Sequence, residues 1–173
     1  SSFDRDEAAA LAPEEGGIDK RLHELEDAEL LVRDDDGAPR WRFRHQTLRD
    51  VAYASLPKRH RRELHLVVAD RLVADGHRSW AADHLEQAAL AALDLEPASR
   101  ELPDRAADAL AEAGDRARRR MENRSALGRY RRALALAGDG ERWGVREARV
   151  LAGMGEAFYW LGEYPGASVL ICT

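Results

Sequence analysis

The histidines are the first residues to consider for chemistry, because imidazole is the commonest metal ligand in proteins. His60 and His65 are five residues apart, so they do not share one helix face as zinc ligands four residues apart would. His77 and His84 lie on either side of a predicted helix start. Neither pair indicates a metal, and we predict no metal site.

No catalytic pattern stands out among the other reactive side chains. Residues 34–37 (DDDG) lack the alternating ligand spacing of a calcium loop, which favours a solvated turn. Cys172 has no basic neighbour to activate its thiol, and the Gly-x-Ser-x-Gly pattern is missing. The sequence also lacks the Gly-x-x-x-x-Gly-Lys-Ser/Thr loop that binds triphosphates. We therefore expect no enzyme activity and no cofactor for this chain by itself.

Two basic runs have the residue types for contacts with phosphate or an acidic partner: residues 58–62 (KRHRR) and 116–120 (RARRR). Solvated or structural charge on a helix is the favoured interpretation of both. The net charge is −5, so no overall basic field attracts nucleic acid or anionic lipid. No apolar run approaches the roughly 20 residues that span a bilayer. With one cysteine and no internal disulfide, the composition favours a cytoplasmic protein without membrane contact.

The first third of the chain has the pattern of two helices followed by a β-hairpin. Residues 4–11 predict a short helix, and residues 18–28 repeat apolar side chains at helical spacing. Residues 30–32 and 41–43 predict two strands on either side of an Asp-Gly turn. Helix, helix, hairpin is the outline of a winged helix, so we assign residues 1–57 to a winged-helix-like module.

The rest of the chain predicts helices only. Apolar residues recur at helical spacing in six segments: residues 47–56, 61–74, 80–95, 104–121, 125–137 and 142–161. In this interpretation Pro97 and Pro103 bracket a loop. We thus predict a mainly α fold, in which a winged-helix-like module with a small β-hairpin precedes an array of α-helical hairpins. Residues 58–101 form a helical linker region, and residues 102–173 form tetratricopeptide-like repeats.

The last third contains an internal repeat. Tetratricopeptide repeats are helical hairpins of about 34 residues, with small residues where the two helices touch. With Gly114 at position eight of a first repeat, four further characteristic positions hold suitable residues: Leu110, Ala126, Tyr130 and Ala133. With Gly155 at position eight of a second, residues 161–167 (LGEYPGA) are typical of its turn. The alternative is an ordinary Ala-rich hairpin, which fills some of the same positions.

The second repeat stops inside its second helix. Residues 169–171 (VLI) would then lack the next hairpin, which covers such side chains in a stack. We therefore expect a longer repeat array that is truncated here, with self-association through this C-terminal end as one consequence.

The inner face of the first helix in each repeat is the predicted partner-binding groove. Positions two, five, nine, twelve and thirteen point into it. They are Asp108, Ala111, Asp115, Arg118 and Arg119 in the first repeat, and Arg149, Ala152, Glu156, Tyr159 and Trp160 in the second. The candidate binding residues among them are Arg118, Arg119, Arg149, Glu156, Tyr159 and Trp160. We predict that an acidic peptide pairs with Arg118 and Arg149, while Tyr159 and Trp160 supply apolar area. In the alternative, Trp160 packs against a following hairpin.

The middle of the chain carries a family resemblance. Its ordered motifs are residues 41–45 (WRFRH), 48–53 (LRDVAY), 64–65 (LH) and 84–88 (HLEQA). They resemble the region after the ATPase domain in bacterial signalling ATPases of the STAND class, in particular actinobacterial regulators fused to a class III adenylate cyclase or a LuxR-type DNA-binding domain. The resemblance covers nearly the whole chain. It implies a parent protein that binds ADP or ATP, whose ATPase domain contacts this region and whose repeats bind a protein or peptide partner.

The resemblance also singles out His45. Related ATPases of apoptosis and plant immunity carry a Met-His-Asp-like motif at the helix start after the wing, and its histidine reaches the β-phosphate of ADP. His45 matches that place, and an imidazole can donate a hydrogen bond to phosphate. Gln46 stands where the motif has aspartate. A capping or packing role for His45 is the alternative.

Two other functions compete with this one. A DNA-binding winged helix would read DNA with the helix before the hairpin. That segment, residues 18–29, holds five acidic residues against Lys20 and Arg21, so it would repel the phosphate backbone. The other competitor is a scaffold without a nucleotide role, which differs in whether His45 faces the ATPase domain.

Overall fold

A computed structural model describes residues 2–12, 17–34, 39–137 and 144–163. It confirms the mainly α fold with a small β-hairpin. In chain order the elements are β1 (Phe3–Asp4), α1 (Arg5–Leu11), α2 (Ile18–Asp27), β2 (Leu31–Asp34), β3 (Arg40–Phe43), α3 (Gln46–Ser55), α4 (Lys58–Ala74), α5 (Arg78–Leu95), α6 (Glu101–Arg119), α7 (Asn123–Ala137) and α8 (Gly144–Leu161).

Some predictions fall outside the described residues. They concern most of the Asp-Gly turn, the joint between the two repeats, most of the second repeat's turn, the apolar C-terminal run and the lone cysteine: residues 35–37, 138–143, 164–167, 169–171 and Cys172.

The sheet and the first two helices form a small module with its own core. Strands β2 and β3 are antiparallel, with Leu31 opposite Phe43, and β1 pairs with the other edge of β3, with Phe3 opposite Trp41. Leu22, Leu31 and Trp41 are buried between the sheet and α2. Strand β1 escaped prediction, because two residues are too short for any periodicity.

Helix α1 connects this module to the next region. It begins at a capping box, in which the backbone N–H of Glu7 donates to Asp4 Oδ1 at 2.8 Å and the N–H of Asp4 donates to Glu7 Oε2 at 2.7 Å. Arg71 of α4 donates to the carbonyl oxygen of Asp6 at 2.9 Å. The module therefore contacts the helical array through α1.

Helices α4 to α8 pack on one another in chain order around a second core. Its fully buried alanines are Ala69, Ala82, Ala89, Ala106, Ala107, Ala113, Ala126, Ala133 and Ala157. Small side chains let helices approach closely, because the interaxial distance depends on the residues at the contact. Leu85 of α5 belongs to the same core as Leu110 of α6, so the linker region packs as part of the array.

Helix α6 begins earlier than predicted. The sequence favoured a loop up to Pro103, but the helix starts at Glu101 and Pro103 is buried in its first turn. That interpretation of Pro103 was wrong, because an N–H in the first turn has no partner inside the helix and proline loses nothing there. Helix α4 likewise begins three residues before the predicted start, at Lys58 instead of residue 61, because residues 58–60 hold no apolar side chain that would show the period. The starts of α3, α5, α7 and α8 lie within two residues of the predicted ones.

Helix α3 lies on the surface of the described molecule. None of its residues is buried, and Val51 is 63% exposed. The helix reaches the array through Tyr53, whose ring lies under the Arg61 guanidinium at 5.3 Å from its centroid.

Candidate partner-binding surface

Tyr130 of α7 lies at the centre of the packing that forms this surface. Its buried ring contacts the backbone of α6 at Gly114 and of α8 at Gly153. A Cβ atom at residue 114 would come within 2.6 Å of Tyr130 Cε1, and one at residue 153 within 2.7 Å of its Oη. Both contacts therefore require glycine, and together they hold α6 and α8 against the same ring.

The residues chosen for the first repeat meet in this packing. All five are buried: Leu110, Gly114, Ala126, Tyr130 and Ala133. For the second repeat, Phe158 is buried, whereas Gly155 is half-buried and no described atom lies within 4 Å of a Cβ built there.

Asp115 turns from α6 towards the Tyr130 hydroxyl. It is 7% exposed and accepts a hydrogen bond from Tyr130 Oη at 2.6 Å, while Arg149 of α8 donates to its other oxygen. Burial favours the protonated carboxyl, but the hydrogen bonds from Tyr130 and Arg149 outweigh that effect and the pKa of Asp115 is lowered. Burial and the adjacent carboxylate raise the pKa of Tyr130 to about 12.

Three ion pairs join α6 and α8, and we call them the inner-face ladder after the predicted groove. They are Asp108 with Arg146, Asp115 with Arg149, and Arg118 with Glu156. The first spans 2.6 Å and the third 2.5 Å. Arg118 and Arg149, which we predicted to pair with an acidic peptide, thus each have an acidic partner within the chain.

Tyr159 and Trp160 lie near the C-terminal end of α8. Their rings meet edge to face, with centroids 5.5 Å apart and an interplanar angle of 83°. Each side chain is 56% exposed. Arg119 on α6 is exposed as well. Of the six candidate binding residues, three thus lie in the ladder and two form an exposed aromatic pair, whereas Arg119 belongs to neither group.

His45 lies at the start of α3, directly after β3. Its carbonyl oxygen accepts from the N–H of Leu48 at 3.1 Å, whereas its side chain is exposed and makes no capping hydrogen bond. The imidazole is therefore accessible in this chain. Its role towards a nucleotide stays a prediction.

A hydrogen-bonded row of three side chains was missed from the sequence. His65 of α4 lies between Tyr53 of α3 and His84 of α5, with Tyr53 Oη 2.8 Å from its Nε2 and His84 Nδ1 2.9 Å from its Nδ1. Burial, then the nearby His84 and Arg61, lowers the pKa of His65 to about 4. Burial also lowers the pKa of His84.

The helix that a DNA-binding winged helix would use is α2. Two of its acidic groups engage basic side chains on the surface: Asp19 pairs with Arg5 at 2.7 Å, and Glu24 with Lys20 at 3.6 Å. Glu26 accepts from the Trp41 indole N–H at 3.0 Å. The pairing of Lys20 with Glu24 leaves the exposed face of α2 without a basic excess.

No protein-family model matches this chain, and no curated protein matches it. Within the described residues, no helix combines the length and the apolar character needed to cross a bilayer. Over those same ranges, no group of three or more His, Cys, Asp or Glu side chains is placed to hold a metal ion.

Proposed function

We propose that this chain is the regulatory and protein-interaction region of a cytoplasmic signalling ATPase and performs no catalysis itself. The observation that carries the proposal is the exposed aromatic pair, Tyr159 and Trp160, beside the inner-face ladder. Large aromatic side chains next to arginines are the commonest anchors at protein interfaces. Helical hairpins that stack in chain order provide the rigid surface on which such anchors act.

The partner is a protein or peptide segment with an apolar side chain and acidic residues. The apolar side chain packs against Trp160 and Tyr159. The acidic residues add to the ladder, because the Arg149 side chain is 66% exposed and keeps N–H donors free of Asp115. Arg118 is 25% exposed and paired with Glu156, so it contributes mainly by holding α6 and α8 in register.

The ATPase domain of the parent protein is the second proposed partner, and α3 is its contact. This proposal is supported by the exposed Val51 and by the accessible imidazole of His45 at the start of the same helix. In the proposed arrangement His45 donates a hydrogen bond to the bound nucleotide. The exposed apolar side of α3 packs against the ATPase domain. The nucleotide belongs to the parent's ATPase domain and not to this chain.

Site-specific photo-crosslinking tests the partner-binding proposal. A photoreactive phenylalanine analogue replaces Trp160 in the full-length protein, and the same analogue replaces Trp80 of α5 as the matched control. Trp80 suits this purpose because it is 60% exposed and lies on a different helix. We expect an adduct with a protein partner from residue 160 only. Equal adducts from both positions would contradict the proposed surface.

A further inference from the structure

We propose that the notch between the α4–α5 turn and the C-terminal end of α6 is a ligand site. It binds a phosphate monoester that is linked through a sugar to a planar base, as in a nucleoside monophosphate. The notch encloses about 260 Å³ and is lined by His77, Arg78, Ser79, Trp80, Arg116 and Arg120. None of these lining residues belongs to the inner-face ladder or to α3, so binding in the notch does not depend on the partner-binding proposal.

Three guanidinium groups supply the charge for a phosphate. Arg116 makes two long contacts, at 3.4 Å to Ser79 Oγ and at 3.5 Å to Glu112 Oε2. Among the described residues, Arg78 and Arg120 have no ion pair and no side-chain hydrogen bond. Guanidinium groups bind phosphate oxygens through paired N–H donors. The residues that line the notch thus include three arginines and, among those described, no carboxylate, while Glu112 contacts Arg116 from outside the lining.

The aromatic side chains supply a surface for the ring. His77 and Trp80 are stacked, with centroids 4.9 Å apart and an interplanar angle of 22°. Trp80 nevertheless remains 60% exposed, which leaves indole surface for a second planar group. Gly76 has a φ of 80°, and the N–H of His77 donates to the Leu72 carbonyl at 2.7 Å. The turn that carries this aromatic pair is therefore fixed by backbone hydrogen bonding.

The size of the notch decides how much of the ligand enters it. Pockets that enclose a whole drug-sized ligand measure about 300–1,000 Å³, which is larger than the 260 Å³ here. A phosphate group fits between the arginines, and the base, which is linked to it through the sugar, lies outside over Trp80. One phosphate and one ring account for the lining residues, so a nucleoside monophosphate matches the site better than a triphosphate.

Calorimetric titration of the full chain with adenosine monophosphate, inorganic phosphate and adenosine tests the site. We expect adenosine monophosphate to bind most tightly, because it alone uses both halves of the notch. The double variant Arg78→Gln/Arg120→Gln should weaken binding of both phosphate ligands about tenfold or more. Trp80→Ala should weaken the binding of adenosine monophosphate about tenfold and leave the binding of inorganic phosphate unchanged.

A matched control separates binding from folding. Arg124→Gln removes an exposed arginine of α7 that lies outside the notch, so it should not alter the titrations. Because arginines in a last helical turn also stabilise the helix, the single variant Arg78→Gln at the start of α5 serves if the double variant unfolds. The proposal is overturned if adenosine monophosphate fails to bind. It is also overturned if adenosine monophosphate binds no tighter than inorganic phosphate and Trp80→Ala leaves its dissociation constant unchanged.

Discussion

The ring of Tyr130 lies so close to Gly114 that a methyl group at residue 114 would come within 2.6 Å of Tyr130 Cε1. The same ring meets Gly153 of α8 at its hydroxyl end. One side chain of α7 thereby sets the distance to both helices that carry the candidate surface. The stability of the array and the geometry of the surface depend on the same contacts.

Alanine at residue 114 should destabilise the protein. Replacing a glycine in a helix interior by alanine usually stabilises by about 0.5–1 kcal/mol, but here the added methyl clashes with a buried ring. Overpacking of this kind costs about 1–3 kcal/mol. Urea denaturation of Gly114→Ala measures the change in free energy of unfolding.

Gly128 of α7 provides the control for that substitution. It lies in a helix interior, and apart from its chain neighbours and the backbone of its own helix no described atom comes within 4 Å of a Cβ built there. Gly128→Ala should therefore leave stability unchanged or raise it. If both variants shift the free energy of unfolding equally, the close packing of Tyr130 on α6 is refuted.

Removing the Tyr130 hydroxyl should destabilise the array and change its response to alkali. Tyr130→Phe loses the buried hydrogen bond to Asp115, at a cost of about 1–3 kcal/mol. The pKa of Tyr130 is raised from 10.0 to about 12, so folding favours the protonated phenol. Its contribution to stability is complete below pH 10 and is lost as the pH rises towards 12.

Denaturation midpoints between pH 9 and 12 test this dependence. The chain without substitutions should lose stability steeply over that interval, and the Tyr130→Phe variant should lose less. Tyr159→Phe is the control, because Tyr159 is an exposed tyrosine on α8. If stability falls with pH at the same rate in the unsubstituted chain and in Tyr130→Phe, Tyr130 is not a buried, protonated tyrosine.

Acid should loosen the contact of α3 with the array. The pKa of His65 is lowered from 6.5 to about 4, so folding favours the neutral imidazole. The stability that this group contributes is present above pH 6.5 and is lost as the pH falls towards 4. Protonated His65 would face Arg61 and His84, and its ring would lose the one nitrogen that accepts a hydrogen bond, which serves Tyr53 or His84 according to the tautomer.

Hydrogen exchange of the α3 and α4 amides, followed from neutral pH to pH 4.5, measures this loosening. His65→Gln should exchange faster already at neutral pH and change little on acidification. His45→Gln is the control, because that imidazole is exposed and makes no capping bond. If acidification speeds hydrogen exchange in His65→Gln as much as in the unsubstituted chain, a group other than His65 causes the effect.

Arg132 should be hard to replace even by lysine. Its guanidinium donates from Nε to Glu86 Oε1 at 2.9 Å and from Nη2 to Asp83 Oδ1 at 2.7 Å, which ties α7 to α5. A lysine ammonium cannot reproduce this fork. Because the site is partly exposed, we expect Arg132→Lys to cost about 1 kcal/mol, as measured by thermal denaturation. Arg124→Lys, at an exposed position of the same helix, should cost nothing measurable. If both variants lose the same free energy of unfolding, the paired hydrogen bonds of Arg132 do not stabilise the protein.

Much of the fold was predictable because its signals are local. Helical spacing, the two strands of the hairpin and the pattern around Gly114 and Tyr130 are all contained in short segments. Strand β1 and the early start of α6 were missed, the first because a two-residue strand has no period and the second because proline in a first turn imitates a loop.

The site was predictable only in part, because contacts between helices depend on how they are aligned. The spacing rule selected Arg118, Arg149 and Glu156 as groove residues, but it did not reveal that Arg118 pairs with Glu156. Nor did it reveal that Arg149 pairs with a buried Asp115. The row from Tyr53 to His84 was missed for the same reason, since its members lie on three different helices.

The affinity of the crosslinked partner for variants of this chain tests the central claim most directly. Trp160→Ala should weaken binding about thirtyfold, since truncating an interface anchor costs about 2 kcal/mol or more. Trp80→Ala, which removes an equally exposed indole on α5, should leave the dissociation constant unchanged within error. Unchanged binding by Trp160→Ala, or equal weakening by both variants with the fold intact, would contradict the account.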